Sequence, residues 1–95
     1  GPAELQRIVR LQLAELATLL REQQLEFVVE EAVVSALAEQ GYEPEYGARP
    51  LRRVLRRRIE NPLATELLAD HFSGARGVRV TAAEAGGTEL NFLPF

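Results

Sequence analysis

Residues 41–64 read Gly-Tyr-Glu-Pro-Glu-Tyr-Gly-Ala-Arg-Pro-Leu-Arg-Arg-Val-Leu-Arg-Arg-Arg-Ile-Glu-Asn-Pro-Leu-Ala. This stretch holds both tyrosines and six of the eleven basic residues, all six between Arg49 and Arg58. It predicts a turn over residues 42–46 and then a helix with Pro50 in its first turn, where a missing N–H costs nothing. The unpaired N–H groups at a helix start already carry about half a positive charge, so arginines are unfavourable there. They indicate that an anion binds at this helix end.

Charge along the rest of the chain has the opposite sign. Residues 1–46 carry nine Glu and three Arg, a net charge of −6, whereas residues 47–60 carry six Arg and one Glu, a net charge of +5. Residues 61–95 carry three Glu, one Asp and two Arg, a net charge of −2. An acidic body with one basic helix predicts a local anionic partner or an internal pairing, and nucleic acid is not the expected partner.

Length and composition predict one globular domain. The chain has 95 residues, and 46% of them are hydrophobic. It has no cysteine and a single histidine, His71, so we predict neither a disulfide framework nor a metal site. No apolar run approaches the ~20 residues of a membrane span, and no signal-peptide pattern is present. We therefore expect no membrane partner and a cytoplasmic location, or the stroma or matrix of an organelle in a eukaryote.

The first half of the chain predicts two helices around a strand. Leucine and valine at three- and four-residue spacing predict an amphipathic helix over residues 4–22. Residues 25–29 alternate and favour a strand, and residues 30–40 form a second helix. Gly41 then fits the left-handed position that ends many helices.

The second half predicts a bent helix and a hairpin. The helix that begins near Pro50 meets Asn61-Pro62, where we expect a break and a restart with Asn61 as the N-cap, running to about Asp70. Residues 78–81 and 89–92 alternate as strands joined through Gly86-Gly87. The predicted fold is α+β, with about four helices, one pair of them separated by the break, packed on one face of a small three-stranded β-sheet.

Few residues predict chemistry that the chain could perform alone. It contains neither G-x-x-x-x-G-K-[ST] nor G-x-G-x-x-G, so no known glycine-rich mechanism binds a nucleotide here. The glutamates are interpreted as solvated helix faces, and Ser35 and Ser73 are not predicted to be nucleophiles. His71 fits a favourable position near a helix C-terminus better than a catalytic role.

Arg49 is the exception. It lies between Gly-Ala and Pro at the helix start, where its guanidinium fork matches phosphate oxygens. An ion pair with Glu43 or Glu45 explains it equally well. Residues 52–58 fit a solvated or intersubunit face better than a nucleic-acid stripe, because no aromatic side chains are interleaved for stacking.

The same stretch carries a family resemblance. Gly41-Tyr-Glu-Pro-Glu-Tyr-Gly-Ala-Arg-Pro-Leu-Arg-Arg, followed by Ile59-Glu-Asn-Pro-Leu-Ala64, is similar to the C-terminal small subdomain of Clp-type AAA+ unfoldases. The second segment and Ile8-Val-Arg-Leu-Gln-Leu13 are most like ClpB, with ClpC and ClpA as close relatives. Residues 3–95 would then be one small (lid) subdomain, and Gly1-Pro2 resembles the scar of a tag-cleaving protease.

The resemblance implies a role in ATP hydrolysis by a larger protein. Arg49, flanked by Gly47 and Ala48, would be the sensor-2 residue that approaches the γ-phosphate, and Ile8 would contact the nucleotide from the first helix. The cofactor would be ATP or ADP with Mg in the intact protein, with none bound by the fragment alone. The fragment would not be an enzyme by itself.

The resemblance also implies partners. These are the chain's own AAA+ large subdomain, neighbouring subunits of a homo-hexamer that meet the small strands and the arginine-rich helix, and unfolded or aggregated protein substrates. The run 56–58 is more basic than this family pattern leads us to expect, and the sequence after Glu84 does not match it clearly. A nucleic-acid-binding module and a stand-alone protein-interaction domain remain the alternatives.

Overall fold

The order of elements confirms the predicted α+β class. The structure is a computed structural model that describes residues 2–42, 50–83 and 89–95. Its elements are α1 (Pro2–Glu22), β1 (Glu26–Val29), α2 (Glu31–Gln40), α3 (Leu51–Leu55), a π-helical turn (Arg56–Glu60), α4 (Asn61–Leu68), β2 (Gly77–Ala82) and β3 (Leu90–Pro94). The predicted turn at residues 42–46 and the Gly86-Gly87 connection fall mostly or wholly outside the described residues.

The sheet has the order β1-β2-β3 and is mixed. Strand β1 pairs parallel to β2, with Phe27 opposite Val78, and β2 pairs antiparallel to β3, with Val80 opposite Phe92. A parallel pair needs a crossover connection, and the helices between residues 31 and 68 supply it. Val78 and Val80 are fully buried while Arg79 between them is exposed, so the helices cover one face of the sheet, as predicted.

Two hydrophobic clusters hold the helices on this inner face. The first joins α1, α2, α3, the π-helical turn and β2 through Leu5, Val9, Leu13, Val33, Val34, Leu37, Ala38, Leu51, Val54, Leu55, Ile59 and Val80. The second lies at the other end of α1 and contains Leu20, Leu25, Leu63, Phe72 and Val78. Phe27 and Phe92 pack against both clusters, so the sheet connects them. None of the helices in the described residues is both long and apolar enough to span a membrane.

The predicted restart at Asn61 is wrong. Asn61 has helical dihedral angles (φ −67°, ψ −47°), and no side-chain hydrogen bond caps α4. The Asn61 N–H bonds to the carbonyl of Arg56, five residues back, which is the π-helical pattern. Pro62 has no N–H to donate to an α-helical carbonyl partner. The widened turn directly before it lets the chain stay helical from Leu51 to Leu68 instead of breaking.

The left-handed conformation predicted for Gly41 is also wrong. Gly41 has φ −85° and ψ 2°, which other residues can adopt. A Cβ at this position would lie 2.4 Å from Leu51 Cδ1 and 3.0 Å from Leu51 Cα. Glycine is needed here because α3 approaches the end of α2 closely.

Left-handed residues end two other helices. Gln24 and Asp70 both have φ 64°. After α1, Leu25 N–H bonds to Leu20 O at 3.0 Å and Gln24 N–H bonds to Arg21 O at 2.9 Å, the two bonds of a Schellman motif. A second Schellman motif follows α4, where His71 N–H bonds to Glu66 O at 3.1 Å and Asp70 N–H bonds to Leu67 O at 3.0 Å. There His71 Nδ1 also contacts Glu66 Oε2.

The strained cap at Gln24 predicts a stabilising substitution. Gln24→Gly should raise the free energy of unfolding by about 0.5–1 kcal/mol, because glycine adopts φ 64° without the Cβ clash. Urea denaturation with a constant slope measures this change. Gln23→Gly is the matched control, since the φ of Gln23 is not positive and glycine there only adds unfolded-state entropy. A Gln24→Gly variant no more stable than Gln23→Gly would contradict the strain argument.

The close approach at Gly41 predicts the opposite effect. Gly41→Ala should lower the free energy of unfolding by about 1–3 kcal/mol, the usual cost of overpacking. The cost should be smaller when measured in a Leu51→Ala background, because the Cδ1 atom that the new methyl group would meet is absent. A double-mutant cycle by chemical denaturation measures the difference. Equal costs in both backgrounds would show that the Leu51 side chain beyond Cβ is not the cause.

Candidate functional site

Residues 41–64 include a short span, residues 43–49, that lies outside the described residues. Gly47, Ala48 and Arg49, the predicted sensor-2 motif, lie outside the described residues, as do Glu43 and Glu45. The described flanks are fixed, because Gly41 at the end of α2 contacts Leu51 at the start of α3. The described part of the candidate site therefore lies on the elements on either side of this span.

Helix α3 and the π-helical turn separate apolar from basic residues. One side is buried through Leu51, Val54, Leu55 and Ile59. The opposite side exposes four arginines, Arg52, Arg53, Arg56 and Arg57, which we call the arginine face. None of them forms an ion pair with a described residue. Their positive charge is thus uncompensated within the described part of the chain.

Arg58 differs from the arginine face. Its side chain is half-buried, and its Nε has no hydrogen-bond partner among the described residues although that atom is buried. A buried donor without a partner costs about 1–3 kcal/mol. π-Helical turns are frequent at functional sites, and this one carries both the orphaned Nε and half of the arginine face. The sequence alone placed Arg58 with the other arginines and did not distinguish it.

Ile8 lies on α1, half-buried against the first hydrophobic cluster. It belongs to a second apolar stripe that sequence analysis missed. Leu11 and Leu19 follow Ile8 at spacings of three and eleven residues, which places all three on one side of the helix. Their neighbours Val9 and Leu13 face the core, but Leu11 is 61% exposed and Leu19 is 57% exposed. We call Ile8, Leu11 and Leu19 the outer stripe of α1.

An ion pair links the surfaces of α1 and α2. Both Arg10 nitrogens Nη1 and Nη2 lie 2.8 Å from the Glu31 carboxylate oxygens, a two-pronged contact. The hydrogen bond from Arg10 holds the pKa of the Glu31 carboxyl below its ordinary value. Because the pair is exposed, it adds little to stability, and the buried residues of the first hydrophobic cluster hold the two helices together.

Two surface clefts lie near the C-terminal end of α1. One, of about 370 Å³, is lined by residues of the two Schellman caps, including Gln24 and Asp70. The other, of about 290 Å³, is lined by Ala17 and Arg21 of α1 together with residues 24–27. Neither is lined by Ile8 or by the arginine face. Within the described ranges no group of three or more His, Cys, Asp or Glu side chains could hold a metal ion.

Comparison with known proteins gives a consistent result over most of the chain. The family model of the C-terminal, D2-small domain of ClpB protein matches residues 1–81. The chain is 59% identical over 91 residues to "Chaperone protein ClpB 2" of Parasynechococcus marenigrum, covering 96% of the chain and 10% of that protein. It is 40% identical over 92 residues to "Chaperone protein ClpB 1" of Nostoc sp., covering 97% and 10%.

A third relative matches a shorter part of the chain. "Chaperone protein ClpB" of Rhodopirellula baltica is 40% identical over 77 residues, covering 81% of the chain and 9% of that protein. The chain thus spans about a tenth of the length of these relatives. Together with the matched residues 1–81, this shows that the chain belongs to the family of ClpB C-terminal D2-small domains.

Proposed function

We propose that this chain is the ATP-sensing small subdomain of a hexameric, Clp-type protein disaggregase. The observation that carries the proposal is the match of residues 1–81 to the ClpB D2-small family. The chain has no glycine-rich phosphate loop of its own, so ATP binding and hydrolysis need a large subdomain elsewhere in the protein. The isolated chain should hydrolyse no ATP.

Arg49 is the proposed sensor. It precedes Pro50 and the start of α3, and its guanidinium fork suits phosphate oxygens better than the point charge of lysine does. The positive charge of Arg49 stabilises negative charge that spreads over the γ-phosphoryl group during transfer. Gly47 and Ala48 give the backbone beside Arg49 little bulk. When the γ-phosphate is absent, Arg49 loses its partner and the small subdomain is free to rotate as a rigid body.

The outer stripe of α1 supports contact with a nucleotide-binding subdomain. Exposed leucines on one side of a helix are a surface that a partner can cover, and Leu11 and Leu19 extend this surface from Ile8. Ile8 offers an apolar contact to an adenine ring at one end of the stripe. The bound nucleotide, with its Mg, supplies the phosphoryl chemistry, while this chain contributes binding and charge.

The arginine face supports contact between subunits. Four uncompensated arginines on one helical side predict an acidic partner surface. Arg52 and Arg56 are four residues apart within a helical hydrogen-bonding pattern, so they repel each other until that partner is present. This face is our proposed contact with the neighbouring subunit of the ring.

The sensor role predicts the kinetics of an Arg49→Ala variant of the full-length protein. Its ATPase kcat should fall by about 10²-fold, the typical cost of losing one charge-stabilising donor. Arg49→Lys should recover only part of the loss, because it keeps the charge without the fork. Arg21→Ala removes the same charge from an exposed position outside the arginine face, so it is the matched control and should keep its kcat. An ATPase rate unchanged in Arg49→Ala would remove the sensor assignment.

The arginine face predicts opposite effects on stability and assembly. Arg56→Gln should raise the free energy of unfolding of the isolated chain by about 0.2–0.5 kcal/mol by relieving repulsion from Arg52. In the full-length protein, Arg52→Gln combined with Arg56→Gln should weaken nucleotide-dependent assembly, measured by sedimentation velocity over a salt series. The corresponding lysine variants keep the charge and serve as controls. Assembly that is equally strong in the glutamine and lysine variants would contradict the intersubunit contact.

A further inference from the structure

The side of the sheet opposite the helices carries an ordered aromatic ring. Phe95 follows β3 and lies across Gly77, where a Cβ would come within 2.5 Å of Phe95 Cζ. Both backbone polar groups of Phe95 are hydrogen-bonded to residues 76 and 77. Phe95 N–H donates to Gly77 O at 3.0 Å, and Phe95 O accepts from Gly77 N–H at 3.3 Å and from Arg76 N–H at 2.6 Å. The Phe95 ring therefore occupies space that a side chain at residue 77 would fill.

Two guanidinium groups lie against this ring. Arg76 Cζ is 5.8 Å and Arg79 Cζ is 5.9 Å from the centroid of Phe95, both within cation–π range. Both arginines are exposed, and neither forms an ion pair with a described residue. The ring thus gathers two positive charges at one place on the sheet and restricts where their forks can go. That arrangement lowers the entropy lost when an anion binds.

Apolar side chains lie next to the two arginines. Val28, Arg79 and Leu93 stand opposite one another on the three strands. Val28 is half-buried, and Leu93 is 46% exposed. We call Val28, Arg76, Arg79, Leu93 and Phe95 the outer sheet patch. Arginine and aromatic residues beside exposed aliphatic ones are the composition of energetically important protein interfaces.

The composition of this patch distinguishes between anionic partners. The described patch offers a single aromatic ring, and its neighbours are guanidinium groups, so successive bases have nothing further to stack on. Glu26, opposite Gly77, adds an exposed carboxylate at the border of the patch. A polyphosphate backbone is negatively charged at every unit, so the Glu26 carboxylate would repel it. A protein segment with carboxylates at some positions and aliphatic side chains at others matches both halves of the patch.

We propose that the outer sheet patch binds an acidic, leucine-containing segment of a partner protein. The carboxylates pair with Arg76 and Arg79, and the aliphatic side chains pack on Val28 and Leu93. The patch lies on the other side of the sheet from the core that holds α3, so it is separate from the arginine face. The inference concerns the 95-residue chain alone, and its test requires neither ATP sensing nor ring assembly.

The experiment is a titration of the ¹⁵N-labelled chain with an alternating Glu-Leu peptide, followed by amide chemical shifts. Shifts should move at residues 76–79 and 93–95 and at Val28. The combination of Arg76→Gln and Arg79→Gln should weaken binding by about tenfold, the scale expected for losing two charge-assisted contacts at an exposed site. Arg52→Gln with Arg53→Gln removes the same charge from the arginine face and should change the Kd by less than about twofold.

Three results would overturn the proposal. Shift changes centred on residues 51–57 would place the peptide on the arginine face. Equal weakening by the two double variants would show binding by net charge alone. Tighter binding of a single-stranded oligothymidylate than of the Glu-Leu peptide would assign the patch to nucleic acid. An alternating Lys-Leu peptide, which should not bind, controls for association through leucine.

Discussion

The contact between Gly41 and Leu51 is the constraint on which the rest of this structure depends. It joins the end of α2 to the start of α3, and it leaves no space for a side chain at residue 41. Since the buried stripe of α3 begins at Leu51, this contact fixes how the helix enters the first hydrophobic cluster. With Leu51 facing the core, the arginine face of the same helical segment points outward. Core packing and the exposure of charge are therefore set together.

Much of the fold could be predicted because it follows from local periodicity. The four-residue spacing of Leu5, Val9 and Leu13 places α1, and alternation places all three strands. Two predictions failed where a tertiary contact or a rare geometry prevailed. Glycine at residue 41 reflects the approach of α3, not a left-handed turn, and its partner is ten residues away in sequence. Asn61 is a good cap by type, but a π-helical turn accommodates Pro62 and makes a new helix start unnecessary.

The candidate site was only partly readable from sequence. Arg49 stands out because positive charge at a helix start conflicts with the helix dipole, and this signal is local. The outer stripe of α1 was missed because a surface leucine is common, and only burial separates Leu11 from Leu13. The grouping of Arg76, Arg79 and Phe95 depends on strand register and on the missing side chain of Gly77, which no periodicity reports. A surface that forms when distant segments pair can be identified only from the structure.

The sensor role of Arg49 means that this subdomain distinguishes ATP from ADP in our proposal. It is tested most directly by the ratio of the Kd values for ADP and a non-hydrolysable ATP analogue, determined by calorimetry on the full-length protein and on its Arg49→Ala variant. We expect the variant to lose most of the preference for the analogue while its Kd for ADP stays close to that of the parent, because only the γ-phosphate contact is removed. An unchanged ratio would show that Arg49 does not sense the γ-phosphate.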